Sequence, residues 1–377
     1  MTKIRIHASR LFDGHNYITD QVLTVENGVI VGLDNHDQQV DHYVEGLVVP
    51  GYIDIQVNGG GGVLFNDSPS LDKIKTIIAA HSHYGTTAML PTLITDKVEV
   101  MAEAADAMAM AIAEKIPGIA GIHFEGPHLS VAKKGAHSAE YIREITAQEW
   151  QILSRKDIGQ IIVTLAPETV SPEDIKRMVA LGIKVCLGHT NADFNTAQQA
   201  VDAGADGFTH LFNAMSPIQS REPGVTGCAL LNDSASTGII VDGHHVDYAT
   251  CRLAIKTKPQ GKVLLVTDAM PPVGTNDESF AFFDRTVHLN DGKLTSTTGE
   301  LAGSVLDMAT AVKNTYEKVG VTLEEALRMA SFYPAQYINQ GHIRGLLKVG
   351  YQADFTVLDS NLNVKSTWIA GELVTEH

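Results

Sequence analysis

Eight short apolar runs, each closed by a polar or glycine-rich turn, constrain the fold more than any other feature of the chain. They are Gly51 to Val57, Thr87 to Pro91, Ile119 to Glu125, Ile161 to Ala166, Ile183 to His189, Gly207 to His210, Gly238 to Asp242 and Lys262 to Asp268. Helix-like segments such as Leu71 to His83, Val98 to Lys115 and Thr196 to Ala203 alternate with them. Eight β-then-α units in roughly 250 residues are the pattern of a (β/α)8 TIM barrel, whose active site forms where the strands end. The competing arrangement, an open doubly wound sheet, would carry Gly-x-Gly-x-x-Gly after its first strand, and none is present.

The two ends of the chain read as strands. Lys3 to Ile6, Gln21 to Glu26, Val29 to Gly32 and Gly46 to Val49 have strand character, and Asn27-Gly28 marks a hairpin because both residues tolerate positive φ. Strands return after Gly345, at Ala353 to Leu358 and Thr367 to Ile369, with Ala370-Gly371 as a turn. Pairing the termini predicts a small β-sandwich domain from residues 1–49 and 345–377 around a barrel domain of residues 50–344. After Asp268 come an insertion rich in Pro, Gly and Thr and then two helices, the second opened by a capping box from Thr322 to Glu325.

Charge narrows the partners. With 44 acidic and 28 basic residues the net charge is −16, a field that repels nucleic acid and anionic membrane surfaces. An anionic substrate therefore needs local cations. The cysteines, Cys186, Cys228 and Cys251, form no CxxC pair, the chain's start has no continuous apolar run, and no stretch approaches a membrane span. These features predict a cytoplasmic protein.

Alternate residues of a strand share a face. Val185, Leu187 and His189 therefore line up, as do Phe208 and His210, Gly121, His123 and Glu125, and Leu264, Val266 and Asp268. Four strands thus end in a metal-competent or titratable side chain at the barrel mouth. Imidazole plus carboxylate suits a divalent ion such as zinc, and three protein ligands leave a position for water. Asp268 fits either a fourth ligand or a base facing that water. Cys186, three residues before His189, falls on the other face and reads as a buried residue turned to the helices.

Pro50-Gly51-Tyr-Ile-Asp54-Ile-Gln56-Val-Asn58-Gly59 resembles the first strand of the amidohydrolase superfamily. His123-Phe-Glu125-Gly-Pro-His128, Lys133-Lys-Gly135-Ala-His137, Gly188-His189-Thr190, Thr209-His210-Leu-Phe-Asn213-Ala214-Met215, Arg221-Glu-Pro-Gly224 and Thr267-Asp268-Ala269 together resemble its N-acetylglucosamine-6-phosphate deacetylase family. The resemblance runs from about Val49 to Gly350-x-x-Ala353-Asp354. It implies metal-dependent hydrolysis of the N-acetyl amide of N-acetylglucosamine 6-phosphate to glucosamine 6-phosphate and acetate, by a homodimer.

The superfamily usually has His-x-His where this chain has Gln56-Val57-Asn58, and amides are poor ligands beside imidazole and carboxylate. The resemblance then implies one ion per chain, zinc first, with iron, cobalt and manganese able to accept the same ligands Glu125, His189 and His210. Gln56 and Asn58 remain as partners behind them. Asp268 would take the water's proton and pass it to the departing amine, and His137 would hydrogen-bond the amide oxygen. Substrate contacts would come from Ala136, Asn213, Ala214, Leu301, Ala302 and Gly303, with Arg221 and His245 on the phosphate. Lys133 and Lys134 read as solvated. Asn58 to Gly62 reads as a flexible turn, since no Gly-Lys-Ser/Thr follows it to make a nucleotide loop. Another amidohydrolase activity, on a cyclic amide or a nucleobase amine, stays open and would not need Arg221 and His245. A non-catalytic scaffold would not need Glu125, His189, His210 and Asp268 together.

Overall fold

Continuous apolar runs buried on both faces form parallel strands covered by helices. In the computed structural model, which describes residues 3–35, 39–297 and 299–377, eight such strands pair in chain order. They are Tyr52–Val57, Thr86–Ile94, Gly121–Glu125, Gln160–Leu165, Lys184–Leu187, Gly207–Phe208, Ser236–Ile239 and Val263–Leu265. The barrel closes just past the strand ends. The amide of Asp268 donates to the Gln56 carbonyl at 3.0 Å, and the amides of Asn58 and Gly59 both donate to the Ala269 carbonyl at 2.9 Å.

The Asn58 to Gly62 segment is consequently not a flexible turn. A Cβ on Gly59 would lie 2.4 Å from the Val63 carbonyl oxygen, and one on Gly60 would lie 2.9 Å from His81 Nε2. Glycine is needed here for close packing against Val63, His81 and Pro271.

Helices between the strands start at side-chain caps: Ser70 before Leu71–Ser82, Ser171 before Pro172–Ala180 and Asp193 before Phe194–Asp202. Each such cap contributes on the order of 1 kcal/mol. The box expected at Thr322 is only half made. Thr322 Oγ1 accepts the Glu325 amide at 3.3 Å, but the Glu325 carboxylate turns to Arg328 Nη2 at 3.0 Å and Tyr333 Oη at 2.9 Å. A complete box instead forms at Thr146 and Glu149, where Glu149 also accepts Arg143 Nε at 2.8 Å and so ties the loop before it to the helix Ala147–Leu153.

Both termini enter one seven-stranded sheet, ordered Glu372–Glu376, Val364–Ile369, Phe355–Leu358, His42–Pro50, Lys3–Phe12, Tyr17–Glu26 and Val29–Asn35. Asn27 and Gly28 take φ of +51° and +80° and turn the last hairpin. The sheet folds over on itself, so that Ile6, Leu23, Val25 and Ile30 share a core with Phe355 and Trp368.

The insertion after Asp268 is more regular than its composition suggests. Ser279–Phe282, Arg285–Asn290 and Lys293–Ser296 form a three-stranded antiparallel sheet. Its second turn is Asp291-Gly292, both at positive φ, the hairpin signal that Pro, Gly and Thr content obscured. Phe282, Val287 and Leu294 pack on Ile94, Met270 and Ala302, which sets this sheet against the barrel mouth. The helix Met308–Asn314 continues through one π turn, and Leu323–Ala330 is followed by a short third helix, Phe332–Tyr337. Among the described residues, no helix is long and apolar enough to cross a membrane.

Candidate active site

Three of the expected site residues stand just beyond the regular strands rather than on them. His189, His210 and Asp268 take φ of +47°, +30° and +54°, after strands that stop at Leu187, Phe208 and Leu265. A left-handed non-glycine residue costs roughly 1–3 kcal/mol, and such strain concentrates where a surrounding structure holds a functional group in place. Here it turns all three side chains into the mouth. Glu125 reaches the same point as the last residue of its strand.

Glu125 Oε1 lies 3.1 Å from His189 Nε2 and 3.0 Å from His210 Nε2, and the two imidazole nitrogens are 3.0 Å apart. All three residues are buried, and among the described residues this is the only group of three or more such side chains that meets metal-holding geometry. The donor set fits a divalent cation. His189 Nδ1 lies 3.0 Å from the Lys133 carbonyl oxygen, which can only accept, so the proton sits on Nδ1 and the Nε2 lone pair faces the cluster. Burial alone would raise the pKa of Glu125, but the two imidazoles beside it, His189 and His210, outweigh this and hold it well below the carboxylate range. A carboxylate kept ionised beside two imidazoles is a ligand set in waiting. Cys186 has no part in it and is buried against Tyr337 Oη at 3.1 Å.

Gln56 and Asn58 donate their side-chain amides to the carboxylates. Gln56 Nε2 donates to Glu125 Oε2 at 3.1 Å and to Asp268 Oδ1 at 3.3 Å, and Asn58 Nδ2 donates to the same Asp268 oxygen at 2.6 Å. Burial, then repulsion from Glu125, pushes the Asp268 pKa up to about 6. Asp54, also buried and pushed up to about 7, accepts the Gln56 amide at 3.1 Å and the Thr267 hydroxyl at 2.5 Å, joining the first strand to the last. His123 lies below the site, with Nδ1 on the Ile55 carbonyl at 2.9 Å and Nε2 on Thr164 Oγ1 at 2.8 Å.

The cluster opens into a cavity of about 320 Å³ lined by Glu125, His137, His189, His210, Asn213, Ala214, His245, Asp268, Leu301, Ala302 and Gly303, with Asn58 and Ala136 among the rest. His137 Nδ1 is met by Thr95, through Oγ1 at 2.9 Å and the backbone amide at 3.4 Å. Burial, then the neighbouring His189, holds the His137 pKa well below the imidazole range, so this ring is neutral.

Two lysines depart from expectation. Lys133 is half-buried and lines the cavity, and Lys134 Nζ folds back onto the carbonyls of Gly135 and His137 at 3.3 and 3.4 Å. Neither is simply solvated. Arg221, in contrast, is exposed and does not line the cavity of its own chain. Sequence reasoning also passed over Ile94, Met270 and Phe282, which form an apolar cavity wall. The Phe280-Ala-Phe282 alternation was the available signal for that wall.

A barrel that gathers a carboxylate and two imidazoles at the C-terminal ends of its strands, with a further carboxylate beside them, defines the class of metal-dependent barrel hydrolases. The chain belongs to the amidohydrolase family, whose model matches residues 47–374. It is 46% identical over 375 residues to the N-acetylgalactosamine-6-phosphate deacetylase of Shewanella sp. (strain ANA-3), covering 96% of this chain and 95% of that one. The crystal structure of N-acetylglucosamine-6-phosphate deacetylase from Pasteurella multocida superposes with a TM-score of 0.95 at 36% identity, covering all of both chains. A variant of the N-acetyl-D-glucosamine-6-phosphate deacetylase from Mycobacterium smegmatis, solved in complex with N-acetyl-D-glucosamine-6-phosphate, superposes with a TM-score of 0.92 at 28% identity, again covering all of both chains.

Proposed function

We propose that the protein hydrolyses the N-acetyl amide of N-acetylglucosamine 6-phosphate, releasing glucosamine 6-phosphate and acetate. The observation that carries this reading is the Glu125, His189 and His210 cluster opening beside Asp268 and His137 into one substrate-sized cavity. A divalent cation held by Glu125, His189 and His210 supplies Lewis acidity and lowers the pKa of water.

The chain's own groups do the rest. Asp268 has one oxygen, Oδ1, on two amide donors, which leaves Oδ2 to take the attacking water's proton and deliver it to the departing nitrogen. Since a backbone amide can only donate, the Thr95 amide makes His137 Nδ1 an acceptor and places the ring proton on Nε2. From there it donates to the amide oxygen as negative charge develops. Asn213, Ala214 and the 301–303 segment enclose the sugar, and Ala136 lies beside His137.

The 46% identical relative supports a second reading, in which the 4-epimer, N-acetylgalactosamine 6-phosphate, is the better substrate. Acetate release measured with both epimeric 6-phosphates and with unphosphorylated N-acetylglucosamine tests the proposal. The higher kcat/KM assigns the epimer. No acetate from either phosphorylated sugar would overturn the activity.

We assign a single ion per chain, zinc first, because Gln56 and Asn58 occupy the places of a second imidazole pair and spend their donors on carboxylates. Elemental analysis of reconstituted protein is expected to find one equivalent. Two equivalents, both required for turnover, would refute this.

We further propose a homodimer in which Arg221 meets the phosphate bound by a partner copy. Its exposure in the single chain supports this, as do the exposed Ile218, Leu231 and Leu253 on the same loop and the two helices that follow. Arg221→Ala is expected to raise KM more than it lowers kcat, since a phosphate contact acts in both ground and transition states. A charge-assisted bond of about 1.5–3 kcal/mol corresponds to roughly 10–150-fold in kcat/KM. An unchanged KM would place the phosphate elsewhere. The domain division at residues 50 and 345 and a cytoplasmic location complete the proposal, the latter supported by three free, buried cysteines.

A further inference from the structure

Beyond the strand Ser236–Ile239 the chain makes a tight turn whose acidic residue is used three times. Asp242 Oδ1 accepts the backbone amides of His244 and His245, both at 2.8 Å, and Oδ2 accepts from His245 Nδ1 at 2.6 Å. Gly243, at φ +75°, sits in the turn under the Tyr248 ring, where a Cβ would approach to 2.7 Å. The Asp242 and His245 side chains are about nine-tenths or more buried, at 10% and 7% exposure. His245 lines the active-site cavity; Asp242 does not.

We propose that Asp242 is a positioning residue that sets the proton and the direction of His245 for the substrate's phosphate. The proposal rests on the reading that His245 meets that phosphate. A carboxylate can only accept, so a 2.6 Å bond to Nδ1 requires the proton to be on Nδ1. Nε2 is then the ring nitrogen left for the cavity, and among the described residues it has no protein partner. A hydrogen bond from Nε2 to a phosphate oxygen needs a second ring proton, drawn from water or from the phosphate monoanion, and the imidazolium so formed lies between two anions. Asp242 stabilises that charge from behind. The resulting hydrogen bond to phosphate is charge-assisted, roughly twice as strong as one from a neutral ring.

Asp242 is itself kept ionised, because the His245 bond outweighs the effect of burial and holds its pKa below the carboxylate range.

The test uses Asp242→Asn, Asp242→Ser and His245→Asn in the full-length, metal-loaded enzyme with N-acetylglucosamine 6-phosphate. Asn keeps an acceptor for the turn amides but presents an N–H to Nδ1. Ser can still cap the turn but does not reach the ring. Each is expected to raise KM by about 5–20-fold, the difference between a charge-assisted and a neutral bond, with kcat changed less than twofold. The double variant Asp242→Asn, His245→Asn should be no worse than His245→Asn alone. Nitrogen-15 NMR should show the His245 proton on Nδ1 in the parent and a changed pattern in Asp242→Asn.

If His245→Asn leaves KM unchanged, His245 is not at the phosphate and the underlying reading fails. If His245→Asn raises KM while both Asp242 variants leave it unchanged, the role of Asp242 is refuted. Additive effects in the double variant, or a fall in kcat as large as the fall in kcat/KM, would refute it as well.

Discussion

Asp268→Asn is expected to retain the metal and bind substrate while losing about 10²–10⁴-fold in kcat, the range assigned to acid–base catalysis. Asn is nearly isosteric and still occupies the site, but its neutral amide cannot take a proton from water at neutral pH. The Asn58 and Gln56 donors that grip Oδ1 can grip an amide oxygen equally well, so the geometry should survive. The pH dependence follows from the same residue. A base works ionised, and burial with Glu125 repulsion raises the Asp268 pKa to about 6. Activity should therefore be present above that value and fall as pH drops through it. A bound cation favours the ionised form and shifts this limb lower. The variant should lose the limb. Metal content and kcat measured on one preparation decide the role: full occupancy with a collapsed kcat supports the shuttle. Metal loss, with excess ion restoring the rate, would make Asp268 a ligand instead.

Glu125→Gln should produce the complementary result. Glu125 is the shared partner of both imidazoles, and its ionised form is what attracts a cation into a buried site. An amide in its place offers one neutral oxygen and two competing donors. The loss of metal affinity should exceed the roughly 10–100-fold typical of changes behind a ligand. Turnover should fall in proportion to bound metal and recover in part with excess divalent ion. Stoichiometric metal with the parent kcat would remove Glu125 from the ligand set. The two variants thus separate a residue that holds the metal from one that moves the proton.

Much of this site was legible in the chain. The eight apolar runs predicted the eight strands, and the residues that close them, Glu125, His189, His210 and Asp268, are the ones gathered at the mouth. Strand alternation accounts fully only for Glu125. His189, His210 and Asp268 lie past the last ladder bonds and are aimed by left-handed backbone, which no period-2 pattern contains. The chain's local signals were also unevenly read. Asp291-Gly292 announced a hairpin within a segment read only as rich in Pro, Gly and Thr. The Thr322 box was credited with a second bond that Arg328 and Tyr333 divert.

The sequence by itself determined the elements, their order, the closure of a barrel from eight repeated units and the residue types that a metal site requires. These depend on periodicity and on chemistry within a few residues, which a linear chain displays. Only the tertiary structure decided that Gln56 links Glu125 and Asp268, that Lys133 lines the cavity while Arg221 is exposed outside it, and that Asp242 stands behind His245. Gln56 meets its partners across 69 and 212 positions of chain. Hydrogen bonds at that separation are created by barrel closure, which sets strands far apart in sequence side by side, so their partners exist only once the fold does.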